Sequence, residues 1–152
     1  MLLRINSACM TSETLGDERC DCSWQLWKAL AQIQENGQGL VIYSPDDEAR
    51  GVGLFNKINS FHIMDSLGYS SAQAFSHLSL PTDNRTFAGV IAVLQYLDIK
   101  RVKAISNNPR KLEALKEGGI EVEERVAITA GKELWKEYLL SKKLDFQHMI
   151  DL

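Results

Sequence analysis

Most of what would mark a membrane, disulfide-rich or nucleic-acid-binding protein is missing from this chain. No apolar run approaches the ~20 residues of a membrane-spanning helix, and the N-terminus carries no signal-peptide pattern. Lys and Arg number 17 against 20 Asp and Glu, a net charge of −3. That balance excludes broad nucleic-acid binding, so any polyanion must be held by a few local cations. The cysteines are odd in number and all fall between Cys9 and Cys22, which is no disulfide framework. His62, His77 and His148 share no metal-ligand spacing, and each reads as a satisfied or exposed histidine. Repeats, linkers and low-complexity segments are absent. What remains is 152 residues, 45% apolar and 24% charged, read as a single domain (1–152) in the cytoplasm.

The chain is organised around Cys9-Met-Thr-Ser-Glu-Thr-Leu-Gly-Asp-Glu-Arg-Cys20-Asp-Cys22. Thiolates are soft ligands. A Cys-x-Cys pair can grip one metal while a third Cys, returned by the loop, closes one face of a tetrahedron. Three protein ligands leave the fourth position open to water. Zinc lowers the pKa of such a water from about 15.7 towards about 7, so the spacing suggests a catalytic zinc more than a structural one. Three reduced cysteines without a metal are the alternative on spacing alone.

Strands are expected at Leu2 to Ala8, Leu40 to Tyr43, Val102 to Ile105 and Ile120 to Val126. Between them lie helical patterns. One runs from a Ser23 cap to about Glu35 with Leu26, Trp27, Leu30, Ala31 and Ile33 on its apolar face, Trp27 belonging to the core. A second opens at Glu48 and continues to Leu67, a third carries Val90 to Leu97, a fourth starts at Arg110, and Lys132 to Lys143 is a final amphipathic helix. Helices alternating with short apolar strands make an α/β architecture. Two loops invite chemistry. Ser106-Asn-Asn-Pro-Arg-Lys111 offers N–H groups, a hydroxyl and cations at a helix start, suited to phosphate or simply a capped basic turn. Asp83-Asn-Arg85 puts a carboxylate and a guanidinium on one loop, a pairing that is most often a surface ion pair.

Taken in order, these residues resemble the GTP cyclohydrolase II family. Arg4-Ile-Asn-Ser7, Cys9, Thr11, Arg19-Cys-Asp-Cys22 and Gln25 are similar to its zinc segment. Glu48-Ala-Arg-Gly-Val-Gly-Leu-Phe-Asn-Lys57 resembles its Glu-Gly-Arg-Gly-Ile-Gly-Leu-Leu-Asn-Lys stretch. Asp83-x-Arg85, Ser106 to Lys111, Glu124-Arg-Val126 and the tail residues Tyr138, Leu139 and Lys142 complete the set. The resemblance implies an α/β fold with helices packed on a mixed sheet, in a homodimer. It also implies a hydrolase that opens the imidazole ring of GTP, releasing formate and pyrophosphate. By matching position, Cys9, Cys20 and Cys22 would hold one Zn²⁺, and Asp83 would be the proton acceptor. Arg85 would be the nucleophile towards the α-phosphorus or, since a guanidinium stays protonated, a phosphate clamp. Arg4, Ser7, Gln25, Glu48, Arg50, Ser71, Ser106 and Lys111 would line the nucleotide site, with Mg²⁺ accompanying the triphosphate.

The departures cluster around the base. The family's His and Glu before the first cysteine are Asn6 and Ala8, its Gly-Asp after the threonine is Ser12-Glu13, and its glycine before the arginine is Ala49. Its usual tyrosine is Phe61, and a Val-Glu-Ala-Asn segment is Ala72-Gln-Ala-Phe75. Metal and phosphate parts survive while the ring-opening surroundings drift, which points to a specialised pathway rather than riboflavin synthesis and to a reaction that stops at the formamide. A non-catalytic nucleotide-binding protein with a structural zinc is the alternative. A base deaminase is disfavoured, since neither His-x-Glu nor Pro-Cys-x-x-Cys occurs.

Overall fold

The computed structural model describes residues 1–130 and 135–151. Its centre is β1 (Leu2–Ser7), flanked by β2 (Gly39–Ser44) on one side and by β3 (Arg101–Ile105) and then β4 (Glu121–Val126) on the other, in the order β2-β1-β3-β4. Every pairing is parallel, so the expected mixed sheet is corrected to a parallel one within the α/β class. The reason lies in the connections: each strand is followed by helix, and a helical crossover returns the chain to start the next strand in the same direction.

Alternation along β1 divides the molecule. Leu3 and Ile5 enter a core with Val90 and Leu94 of α6 (Ala88–Tyr96), Val102 and Ala104 of β3, and Leu115 of α7 (Pro109–Glu117). Leu2 faces the other way, against Ala29 of α2 (Cys22–Asn36) and Ile105, while Arg4 and Asn6 on that same face are buried polar groups. One face of the central strand is therefore core at one end and chemistry at the other.

Helix α2 is rotated from the sequence expectation. Ala29 is fully buried and Trp24 packs on the apolar clusters, whereas Trp27 is 67% exposed and not core. The helix turns Gln25 inward to meet Arg4 and Asp21, and the small Ala29, one turn on, lets it approach the sheet. Its cap position is Asp21 rather than Ser23, whose N–H instead donates to Ser12 Oγ at 3.2 Å. A short helix, α1 (Met10–Glu13), lies inside the cysteine loop.

The single helix expected from Glu48 to Leu67 is broken. A turn at Pro45–Asp47 leads to α3 (Glu48–Gly51), then α4 (Gly53–Leu67), and at the break Ala49 (φ 50°), Arg50 (φ 60°) and Gly51 (φ 84°) are left-handed. Two non-glycine residues there are strained. A Cβ on Gly51 would come within 3.1 Å of the Asn84 backbone, so the turn also needs close approach to the 83–85 loop. After α5 (Ser71–His77), α6 and α7, the last helix among the described residues is α8 (Lys136–Phe146). The expected final helix begins outside the described residues and extends to Phe146 instead of Lys143. Among the described residues no helix is long and apolar enough to cross a membrane.

Candidate active site

β1 lies between β2 and β3, so the chain leaves β1 towards one side and later returns on the other. In such sheets the crevice beyond the carboxyl ends of the strands at this switch point is where ligands bind. Here Ser7 ends β1 and Ala8 and Cys9 follow it, Ser106, Asn107 and Asn108 follow β3, and both sets line one pocket with Arg4, Arg50, Lys111 and Lys142.

The three cysteines converge in the lining of this pocket. Their sulfurs all lie within 4.8 Å of one another, and Cys9 Sγ is 3.6 Å from Cys20 Sγ. Cys9 and Cys20 are buried, and no further His, Cys, Asp or Glu among the described residues joins the group. Hydrogen bonds from the Cys20 and Cys22 thiols, and the nearby Lys57 charge, pull the Cys9 thiol down against its burial. Cys20 is pushed up by its bonds to the Cys22 and Cys9 sulfurs and by burial. A buried thiolate beside two further thiols suits a soft or borderline cation, and zinc fits this donor set.

Asp21, between two of these cysteines, is fully buried and receives Lys142 Nζ at 2.9 Å and Gln25 Nε2 at 2.7 Å. Gln25 Oε1 in turn accepts from Arg4 Nη2 at 3.1 Å, and Arg4 also donates to Asn6 Oδ1. Asn6 Nδ2 donates to Glu13 Oε1 at 2.8 Å, and the other Glu13 oxygen accepts from Tyr43 and the Cys9 N–H. Two residues that depart from the family pattern, Asn6 and Glu13, are thus partners.

The phosphate-suited groups line the same pocket. Lys111 is buried with Nζ donating to Ile5 O at 2.9 Å; burial, with Arg4 and Arg85 nearby, pushes its amine well below the ordinary lysine value. Ser106 Oγ is turned to the Asn108 N–H. Arg50 is sandwiched between the Phe75 and Phe146 rings at 4.4 and 4.2 Å, with Nη2 donating to Ser71 Oγ at 3.0 Å. Its Nη1 is buried without a hydrogen-bond partner, a donor left short of an acceptor. The left-handed turn at Ala49 and Arg50 aims this side chain, and Asn84 N–H holds Arg50 O at 2.9 Å.

Asp83 and Arg85 are no surface pair. Both side chains are about one-tenth exposed, and Arg85 donates Nε to Oδ1 at 2.9 Å and Nη2 to Oδ2 at 2.6 Å. Burial raises the Asp83 carboxyl, but Arg85 and Arg110 outweigh it and hold it at about 2. Arg85 Nη1 reaches Ser7 Oγ at 3.2 Å, and Ser7 donates to Asp47 at 2.7 Å. Of the sequence candidates, Arg4, Ser7, Cys9, Cys20, Cys22, Gln25, Arg50, Ser71, Arg85, Ser106 and Lys111 line the pocket. Glu48 and Asp83 stand behind it. Glu48 binds Lys57 Nζ at 2.7 Å and the Met10 N–H at 2.6 Å.

Sequence reasoning assigned no role to Lys57, Lys142, Asp21 or Tyr138, although all four sit in stretches that carry the family resemblance. Nor did it reach Phe146, which has no motif. His148 also lines the pocket, its imidazole pushed down to about 3 by burial and then by Lys142, Arg85 and Lys111. His62 and His77 are exposed, as expected.

Comparison with known proteins agrees with this geometry. The GTP cyclohydrolase II family model matches residues 1–127. The GTP cyclohydrolase-2 of Shewanella sediminis is 40% identical over 151 residues, covering 99% of this chain and 73% of the relative. That of Neisseria meningitidis is 39% identical over 145 residues, covering 95% and 73%. By sequence, parallel α/β architecture and a three-cysteine pocket at the switch point, this chain belongs to the GTP cyclohydrolase II family of enzymes.

Proposed function

We propose that this enzyme is a zinc-dependent hydrolase that opens the imidazole ring of GTP, or of a close guanine nucleotide, releases pyrophosphate and stops at the formamidopyrimidine. The observation that carries the reading is the convergence of three thiols and the cations Arg4, Arg50, Arg85, Lys111 and Lys142 in one pocket. Zinc held by Cys9, Cys20 and Cys22 would supply a Lewis acid and a hydrolytic water at neutral pH. The chain's own residues do the rest. Lys111, Arg50 and the Ser106 turn bind polyphosphate, with Mg²⁺ alongside it; Ser71 orients Arg50, and Arg4, Gln25 and Ser7 position the nucleotide. Glu48 acts through Lys57 rather than on the ligand.

Arg85 is a clamp rather than a nucleophile in this reading. A guanidinium held by a carboxylate stays protonated and has no lone pair to offer, while Nη1, shared only with Ser7, is free to turn to a phosphate oxygen. Asp83 remains ionised at every pH near neutrality and is the proton acceptor of the proposal. Phe61 lines the pocket, with the Arg19 guanidinium 4.8 Å from its ring centre. It presents no hydroxyl at the position where the family pattern has tyrosine. One positioned proton carrier contributes about 10²–10⁴-fold, and hydrolysis of the formamide, an amide, is the harder of the two events. The reading also carries a homodimer in the cytoplasm.

The test compares the wild type with Cys20→Ser, each incubated with GTP, Zn²⁺ and Mg²⁺. The wild type is expected to release one pyrophosphate per GTP consumed, and the variant to lose both zinc and turnover. Undiminished GTP consumption by a variant that has lost its zinc would overturn the role of the metal.

A further inference from the structure

Lys57 is a lysine where a lysine is expensive to place. It lies on α4 with only 8% of its surface exposed, and its ammonium makes two contacts: Nζ donates to Glu48 Oε1 at 2.7 Å and to Cys9 Sγ at 3.0 Å. A buried ammonium is retained only with good partners. Glu48 alone would be one. The sulfur contact is the second, and it makes the pair part of the metal loop.

The contacts close a ring. Glu48 Oε2 accepts from the N–H of Met10, the residue after Cys9, at 2.6 Å, while Oε1 holds the lysine that reaches the Cys9 sulfur. Backbone and side chain of Cys9 are therefore fixed from one carboxylate, and the strained turn that begins at Glu48 sets where that carboxylate stands. The other two thiols are treated differently. Cys22 Sγ lies 3.9 Å from Tyr138 OH, and Cys20 Sγ meets Cys9. Among the described residues, Cys9 is the one cysteine of the three with an ammonium on its sulfur.

We propose that Lys57 is a positioning residue for the metal: held by Glu48, it donates to the Cys9 thiolate, draws charge from it, and so sets how tightly the cluster holds zinc and how much electron density it passes on. The inference rests on the zinc reading above. The physical basis is general. A hydrogen bond to an ionised ligand stabilises the ionised form, and groups that orient and polarise a metal's ligands are worth about 10- to 100-fold in metal affinity. Without the donor, the Cys9 sulfur loses the contact that fixes its orientation, which costs metal affinity, while its lone pair is held less tightly and donates more strongly to a metal that does bind.

The experiment uses the full chain, stripped of metal and reloaded. Zinc affinity is read by competition with a chelator, and Co²⁺ serves as the spectroscopic probe. In Lys57→Met, which keeps the side chain's length, zinc affinity is expected to fall about 10- to 100-fold. The thiolate-to-cobalt charge-transfer band should move to lower energy. Lys57→Arg, which keeps a cationic donor, should restore most of both. Wild-type affinity and an unmoved band in Lys57→Met would overturn the proposal while leaving the metal reading intact. Should the Met variant fail to fold by circular dichroism, Lys57→Gln carries the comparison: an uncharged donor must give intermediate values, and wild-type values there also overturn the proposal. A wild-type chain that takes up no Co²⁺ would overturn both readings together.

Discussion

Replacing Lys142 with methionine should loosen the cover of the pocket. Lys142 Nζ lies 2.9 Å from Asp21 Oδ1, the two side chains being 15% and 0% exposed. An exposed pair contributes about 0–1 kcal/mol, whereas removing one partner of a buried pair costs about 3–5 kcal/mol, because the other charge is left uncompensated. Asp21 would keep the Gln25 amide on its second oxygen, which places the loss at the lower end, about 3 kcal/mol. For a chain of this size that is roughly 6–12 °C in Tm. The assay is urea and thermal unfolding of the metal-free protein, followed by circular dichroism, with Asp21→Asn and the double variant completing a cycle. Asp21→Asn/Lys142→Met removes both charges, so a coupling of about 2 kcal/mol or more is expected. Because Phe146 packs on Arg50 and Trp135 Nε1 donates to Glu18 O at 3.0 Å, the same helix holds the pocket's edge. A loss below about 1 kcal/mol, the value of an exposed pair, would show that Lys142 does not anchor α8 and would refute the reasoning.

Lys111→Ala and Arg50→Ala should each weaken GTP binding by about 10- to 150-fold in calorimetry, each removing a charge-assisted contact of roughly 1.5–3 kcal/mol. Unchanged affinity in both would place the triphosphate elsewhere. Ala49→Gly should stabilise the fold by about 1 kcal/mol in urea unfolding, since Ala49 is left-handed at φ 50°; a loss of stability would contradict the strain argument. His148 stays neutral in the fold down to about pH 3, while an unfolded histidine gains a proton below about 6.5. Stability should therefore fall with acid from about pH 6.5, by about 2 kcal/mol at pH 5, a slope that His148→Gln abolishes. If the slope persists unchanged in that variant, it belongs to other groups.

The fold was legible because its signals are local. Leu3 and Ile5 on one face of β1, Gly37 after α2 and Pro109 at the start of α7 carry their conformations within a few residues. The rotation of α2 was not, because Trp27 and Ala29 fit an apolar face equally well until Gln25 must reach Arg4. Strand direction was hidden for a related reason: short apolar runs state burial, and only the crossovers make them parallel. The break at Ala49 was missed because an alanine advertises helix, while the left-handed turn there answers the 83–85 loop, far along the chain. The cysteines and Lys111 were readable as chemistry from their residue types and setting, whereas Arg50 was reached only through the family resemblance. Lys57 and Lys142 were not, since a lysine on a helix is ordinarily a solvated one and only tertiary packing buries it against Cys9 or Asp21.

The central claim is ring opening of a guanine nucleotide without loss of the formyl carbon, and mass analysis of everything formed from GTP by the zinc-loaded protein tests it most directly. The account predicts a nucleoside monophosphate product with the imidazole opened and the formamide retained, pyrophosphate in equal amount and no formate, with formate appearing in Phe61→Tyr. Formate in equal amount from the wild type would contradict the stopping point, and GTP left intact or cleaved only at a phosphate would contradict the claim itself.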